Sequence, residues 1–295
     1  MKKVITGLIM AGIFTGVTIA AAKIAIDSVT AFAYQENQEK TALVQERIQG
    51  TKSLLEELSV DPYIRSRECS YQEKAAFLTD KNQRENLGYM MLRVLDEEIN
   101  IYREDAAFPV SNLASRDYMQ RLYSTGEEQV TDAFLAGADG KTINYTVTAA
   151  IKEDGQVTGA LMAAIYGEEL DVRLQDERST NVLVGSLLQY MGGVPKERFG
   201  LSVAQVLEGE RKVSRPVENI LLDFTERKSG SFWSIGSHIQ HIVYSPVEGT
   251  DWVVMTEVRV IPLIKNVLTV YGFVLAVLMI AGAMLLHRKK TGNGL

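Results

Sequence analysis

Only the two ends of this chain are apolar enough to cross a membrane, and that confines everything else it can fold into. Val4 to Ala22 and Asn266 to Leu286 are uncharged and mostly apolar. At about 1.5 Å of rise per residue, each is long enough for a hydrocarbon core of ~30 Å. Lys2 and Lys3 precede the first run, and Arg288, Lys289 and Lys290 follow the second. Positive flanks favour the cytoplasmic side, so both termini are expected inside the plasma membrane and the middle of this two-pass chain outside it. The first run has another reading: Met-Lys-Lys, an apolar stretch and Ala20-Ala21-Ala22 also fit a cleavable secretory signal. Its length exceeds the about 7 to 15 residues of a signal core, which favours an uncleaved anchor in contact with lipid. Gly12 and Gly16, like Gly272 and Ala276, would let another helix approach closely, as in a homodimer.

The chain has 295 residues, 31 of them basic and 37 acidic. Setting aside the five basic residues of the tails leaves 26 against 37, so the remainder carries about −11 and is a poor partner for nucleic-acid phosphates. Cys69 is the only cysteine, which excludes an intramolecular disulfide. The outer region must be held by a hydrophobic core, for which roughly 240 residues suffice.

From Lys23 to about Leu58 there is no proline, and apolar residues such as Val29, Ala33, Val44, Ile48, Leu55 and Leu58 recur every three to four positions. This predicts a long amphipathic helix rising from the membrane and stopped at Asp61-Pro62. A second helix is expected over Gln72 to Asn86. Tyr89 to Leu95 and Ile99 to Tyr102 read as strands around an Asp96-Glu97-Glu98 turn. Ser115 is expected to cap a helix carrying Tyr118, Leu122 and Tyr123 on one face and ending near Gly126. Val130 to Leu135, Thr142 to Ile151 and Gln156 to Tyr166 then form a meander, with turns at Asp139-Gly140 and Asp154-Gly155. After Leu170 the chain looks helical and loose as far as Gly192-Gly193 and Pro195. Phe232 to Ile235, Ile239 to Val247 and Trp252 to Val258 make a second meander, turning at Gly236-Ser237 and Gly249-Thr250.

Ser115-Arg116-Asp117-Tyr118, Val130 to Phe134 and the hairpin from Ala149 to Gly159 together resemble the membrane-distal half of a double Cache domain. Tyr244-Ser-Pro246-Val-Glu-Gly249-Thr-Asp-Trp252 resembles the closing strands of the membrane-proximal half. Such domains are extracytoplasmic sensors of bacterial chemoreceptors, diguanylate cyclases and histidine kinases. The resemblance implies an α+β fold: PAS-like antiparallel sheets in tandem on a long N-terminal helix, flanked by two transmembrane helices. It covers about residues 24–262, though the usual first hairpin of the proximal half is not recognisable. The implied order is a tip and first membrane helix (1–23), a stalk (24–60), a distal lobe (61–170), a proximal lobe (171–262), a second membrane helix (263–287) and a basic tail (288–295). Members normally continue into a cytoplasmic output domain, whereas this sequence stops nine residues after Leu286. The expectation is a signal passed to a separate signalling protein, or a truncated receptor.

In amino-acid-binding members an arginine on the helix before the meander holds the ligand carboxylate, aromatics two and three residues on cover it, and an acidic residue in the next strand holds the amine. Arg116, Tyr118 and Asp132 match these positions. A guanidinium fork suits a carboxylate, and an opposed aspartate suits a cation. The second aromatic is Met119, and Ala163-Ala164 stand where a further aspartate is usual. An amino-acid-like molecule, another small carboxylate or a different polar metabolite therefore remain open as ligands. Arg93, Tyr102 and Arg121 are further candidates. The structural alternative is that Arg116 and Asp117 decorate a helix terminus and that Asp132 pairs with Arg116 or Arg121.

Other chemistry is thin. His238 and His241 fall on opposite sides of an extended strand with no third ligand evident, so no metal or other cofactor is expected. Asn144-Tyr145-Thr146 spells a glycan acceptor inside an expected strand, and Glu168 and Glu169 suit a helix start. No nucleophile elbow, phosphate loop or metalloprotease helix occurs, so the chain reads as a sensor and not an enzyme. An anchored protein-interaction module with a degenerate pocket is the alternative.

Overall fold

The structure, a computed structural model, describes residues 2–136, 140–210 and 212–291. Helix α1 (Lys2–Ser59) joins the first apolar run to the stalk in one rod of 58 residues, roughly 90 Å long. Asp61 ends it by starting another helix: its carboxylate accepts from the Tyr63 and Ile64 amides and opens the short α2 (Pro62–Arg65). Helix α3 (Tyr71–Arg84) starts at a reciprocal cap, in which Ser70 Oγ accepts from the Glu73 amide and Glu73 accepts from the Ser70 amide.

Two antiparallel sheets follow. The first contains β1 (Met91–Leu95), β2 (Asn100–Ile101), β3 (Ser111–Asn112), β4 (Gln129–Val130), β5 (Phe134–Leu135), β6 (Ile143–Glu153) and β7 (Gln156–Tyr166), with α4 (Asp117–Thr125) inserted before β4. Its order is β3-β2-β1-β7-β6-β4, and β5 also pairs with β6. Helix α5 (Gly167–Leu174) leads to the second sheet. That sheet is built from β8 (Ser179–Val184), β9 (Tyr190–Gly192), β10 (Lys212–Val213), β11 (Gly230–Ile235), β12 (Ile239–Pro246) and β13 (Val253–Arg259), with α6 (Val203–Glu210) and α7 (Val217–Thr225) between β9 and β11. Its order is β10-β11-β12-β13-β8-β9. Helix α8 (Val260–Thr291) continues from β13 without a break and carries the second apolar run.

Helix α1 is the common wall of both sheets. Val44, Ile48, Leu55 and Leu58 pack on Leu92, Tyr145, Val147 and Leu161 of the first sheet in a mainly apolar seam, within which the buried Thr51 hydroxyl accepts from the Tyr89 hydroxyl. Against the second sheet polar contacts join the apolar ones. Asn37, 1 % exposed, donates to the carbonyls of Val243 and Val254 and to Thr256 Oγ1, and Thr256 in turn donates to Asn181. Nearer the membrane runs, Val29 and Ala33 pack on Val243 and Val258, and Thr18 and Tyr271 hydrogen-bond at 2.8 Å between the two apolar helices. Gly12, Gly16 and Gly272 meet no neighbouring atom within 4 Å, so these small residues are not used to bring the two helices of one chain together.

Several expectations change. Arg116, not Ser115, is the N-cap of α4, and it makes no side-chain cap bond. The Arg116 amide donates to Leu113 O, and the resulting turn shifts the helix start by one residue. The helix does end at Gly126, whose left-handed φ of 68° suits glycine. The expected strand Val130 to Leu135 is split into β4 and β5 at Thr131–Ala133. The stretch expected to be loose contains the hairpin β8–β9 that was not recognisable in the sequence. Asp139 of the expected Asp139-Gly140 turn lies outside the described residues.

Candidate functional site

Each sheet lays one face on α1, so any site open to a ligand lies on the other. In the first sheet strand register fixes what shares that face. Leu95 is opposite Ala160 and Ala160 opposite Ala150, and this end is covered by Met119 and Leu122 of α4. Two residues along, Arg93 is opposite Met162, which is opposite Thr148. The next row is Met91, Ala164 and Thr146, and the last is Tyr166 and Asn144. One face therefore passes from apolar under α4 to polar beyond it. Thr146, Thr148 and Asn144 are all buried, and Asn144 Oδ1 has no hydrogen-bond partner among the described residues. That burial leaves no room for a glycan on Asn144.

The candidate residues distribute unequally over this region. Arg93 stands on the polar part of the face. Its guanidinium donates to Thr79 Oγ1 at 2.9 Å and lies 3.8 Å from Glu104, and burial pushes its pKa below the usual arginine value. Tyr102 stacks on Tyr71 with ring centroids 4.9 Å apart and donates to Asp96 at 2.7 Å. Burial, then that carboxylate, push its hydroxyl up to about 12, so it is a neutral donor. Tyr118 packs into the α4 cluster, and burial raises its hydroxyl pKa against the opposing effect of Arg116. Tyr123 belongs to the same cluster and donates to Asp96 O. Arg116 and Arg121 are exposed, at the N-cap and on the surface of α4.

Asp132 turns the other way. Its carboxylate accepts from the Ser186 amide at 2.9 Å, the Ser186 hydroxyl at 2.7 Å and Trp252 Nε1 at 3.0 Å. The break between β4 and β5 thus aims Asp132 at the second sheet, where it clasps the β8–β9 turn and the β12–β13 hairpin. It makes no ion pair with Arg116 or Arg121.

The polar residues Asn144, Thr146 and Thr148 were not singled out from sequence, although a signal exists. In Ile143-Asn-Tyr-Thr-Val-Thr the polar residues alternate with apolar ones in a strand whose two faces are both covered. The second sheet repeats the pattern with Gln240 and Glu257, buried polar residues beyond the part of the sheet covered by α6 and α7. The face there borders a cavity of about 640 Å³. His241 is buried against Trp233 while His238 is exposed at the adjoining turn, and among the described residues no three potential metal ligands cluster. Glu169 pairs with Arg47 at 2.8 Å and with Arg173 at 2.9 Å, a structural role at the start of α5.

No protein-family model and no curated relative matches the chain. Solved structures do. The ligand-binding domain of the Pseudomonas fluorescens chemoreceptor CtaA, in complex with L-isoleucine, superposes with a TM-score of 0.64 at 14 % identity, covering 83 % of this chain and 98 % of that one. The extracellular domain of the proposed histidine kinase mmHK1S-Z2 gives 0.61 at 14 % identity, over 80 % and 97 %. The ligand-binding domain of the Pseudomonas aeruginosa PAO1 amino-acid chemoreceptor PctC, in complex with GABA, gives 0.58 at 14 % identity, over 77 % and 98 %. These neighbours are ligand-binding and extracellular domains, and identities this low speak for the fold. Two antiparallel sheets in tandem on one long helix are the fold this chain shares with those domains, the Cache-type architecture expected from its sequence, here with apolar helices at both ends.

Proposed function

We propose that the chain is a membrane-anchored extracytoplasmic sensor of a small molecule, bound on the α4 side of the first sheet and read out through the two membrane helices. The observation that carries this reading is mechanical. Helix α1, which forms the wall of both sheets, and α8, which continues β13, are themselves the two apolar helices, so a shift in either sheet reaches the membrane without a flexible joint. A ligand would bias that shift by its difference in affinity between two arrangements. In this reading residues 61–170 form the membrane-distal lobe and 171–262 the proximal one, lipid surrounds 1–23 and 263–287, and both termini are cytoplasmic. The partners are a second copy of the chain and a separate signalling protein, and the chain catalyses no reaction.

Arg93, Thr148, Thr146 and Asn144 supply one cation and several neutral hydrogen-bonding groups, which suits a small carboxylate or an amino-acid-like molecule. Arg116, Tyr118, Tyr102 and Arg121 would act at its rim. The test is thermal melting of the full chain in detergent micelles against a panel of amino acids and small carboxylates. The parent should be stabilised by one class, and Arg93→Ala and Arg116→Ala should each reduce the shift at least several-fold. Variants that respond like the parent would remove this face from consideration. One observation favours the alternative, an anchored interaction module with a degenerate pocket: Asp132, the residue matched to amine binding, is engaged by Ser186 and Trp252. That reading expects no small-molecule stabilisation and co-purification with a membrane protein.

A further inference from the structure

At the β6–β7 turn end of the first sheet one lysine is buried without a partner. Lys74, on α3, is 7 % exposed. Its ammonium lies 4.9 Å from the centre of the Tyr71 ring, and among the described residues it has neither a hydrogen-bond acceptor nor an ion pair. Burial lowers its pKa, against weaker raising effects of Cys69 and Glu153. Lys74 borders a cavity of about 90 Å³ between the α2–α3 segment and the β6–β7 hairpin. Arg65, Arg67 and Tyr71 line this cavity from the α2–α3 segment, Glu97 from the β1–β2 turn and Glu153 from β6. Val94 and Ile151, also in its wall, belong to the cluster on the α1 side of the first sheet, so the cavity lies on the face opposite Arg93.

The charges in this wall do not cancel. Arg67 and Glu153 pair with each other. Arg65 donates to the Lys152 carbonyl at 2.6 Å, which uses one of the five N–H donors of a guanidinium. The Glu97 side chain is exposed and has no ion pair among the described residues. Two cations and one carboxylate are therefore left, and the buried member of the three is positive. An unpaired buried ammonium is costly, and an anion in the cavity offsets that cost. The volume is several times the roughly 10–15 Å³ that one water needs and well below the about 300–1,000 Å³ of pockets for larger ligands, so a small polyatomic ion fits and an organic metabolite does not. Glu97 selects among such ions, because a carboxylate repels an anion without protons but accepts from the P–O–H group of hydrogen phosphate. We propose that this cavity binds inorganic phosphate, with Lys74 and Arg65 on its unprotonated oxygens and Glu97 accepting from its hydroxyl. The site is on the other side of the sheet from the face assigned to sensing, so the two assignments stand or fall separately.

The experiment melts the full chain in detergent micelles, first in phosphate-free buffer and then with millimolar sodium phosphate, sodium sulfate or glycerol 3-phosphate at matched ionic strength. Phosphate should raise the melting temperature more than sulfate does, and more than glycerol 3-phosphate, whose glycerol the cavity has no room to hold. Lys74→Met should abolish the rise, and Arg65→Gln should cut it at least by half. Glu97→Gln should relax the selection, bringing the sulfate response to at least half of the phosphate response. Melting of each variant without phosphate shows whether it is folded. Arg65→Gln and Glu97→Gln, both at exposed positions, keep the test decisive if the buried Lys74 does not tolerate change. The proposal is overturned if phosphate leaves the parent unshifted, which would give the cavity to water. It is also overturned if sulfate or glycerol 3-phosphate acts on the parent as strongly as phosphate, or if a folded Lys74→Met or Arg65→Gln responds as the parent does.

Discussion

Both sheets put one face on α1 and divide the other into an apolar half under helices and a polar half beyond them, but they finish the polar half differently. In the first sheet Arg93 is held by Thr79 and Glu104, and beside it Tyr102 is held by Tyr71 and Asp96. In the second a cavity is left next to Gln240 and Glu257. Their contacts with α1 differ in the same sense. The first sheet meets α1 through a mainly apolar seam, which is largely non-directional and tolerates small shifts. The second adds to its apolar packing the three hydrogen bonds of Asn37, each with its own geometry. Sharing one architecture therefore does not give the lobes one mechanical role: the second sheet should move with α1 as a unit, and the first has more freedom to reposition on it.

The strongest way to break this comparison is at the joint between the sheets. Trp252 is 1 % exposed, packs edge-on against Tyr145 of the first sheet at 5.3 Å and donates to Asp132. Trp252→Ala should cost about 3–5 kcal/mol in chemical denaturation and merge or reorder the unfolding of the two lobes. A loss under about 1 kcal/mol would mean that the lobes are held elsewhere. Next is the contrast between pin and seam. Asn37→Leu removes the donor shared by Thr256 Oγ1 and two strand carbonyls and should cost about 1–3 kcal/mol. Ile48→Val in the seam should cost about 0.5–1.5 kcal/mol. Equal losses would remove the distinction.

Asp132→Ala leaves the Trp252 indole N–H and the Ser186 groups without their acceptor, so a loss of about 1–3 kcal/mol is expected with ligand responses unchanged. Stability within about 0.5 kcal/mol of the parent, with the ligand response lost, would instead restore Asp132 to the binding site. The smallest effect concerns pH. His241 lies between Tyr34 and Trp233 without a partner for Nδ1 among the described residues, and burial lowers its pKa. The folded state then binds this proton less readily than the unfolded chain. Its contribution is complete above the unfolded value of about 6.5 and is lost as pH falls from there through the lower folded value. Melting temperature should therefore decline from pH 7.5 toward pH 5 less steeply in His241→Phe than in the parent. Parallel declines would show that His241 does not titrate in this window.

Local patterns carried much of the architecture. The long helix was legible from apolar residues every three to four positions, and Asp61-Pro62 marked its end. The β6–β7 hairpin was legible from Asp154-Gly155, where Asp154 and Gly155 both adopt positive φ. The β8–β9 hairpin was not, because its return strand has three residues, too few for a period, and the position of β8 in the sheet is set by pairing with distant β13. Gly193 illustrates the same limit. Its φ of 70° and the 1.9 Å that would separate a Cβ from the Asn181 carbonyl require glycine there, but the carbonyl is supplied by the neighbouring strand. At the site, Arg93 was legible as a candidate, whereas the threonines and asparagine beside it became a face only once register aligned three strands.

The sequence alone located the two long apolar helices, the stalk, the helices before and after β1–β3 and the two main meanders, since hydropathy, capping and turn chemistry act between residues close in the chain. Tertiary structure alone decided that Asp132 clasps the second sheet, that Asn37 pins α1 and that Gln240 and Glu257 border a cavity. The Asp132 partners are 54 and 120 residues away, and the direction of a side chain in a broken strand depends on which distant groups arrive to meet it.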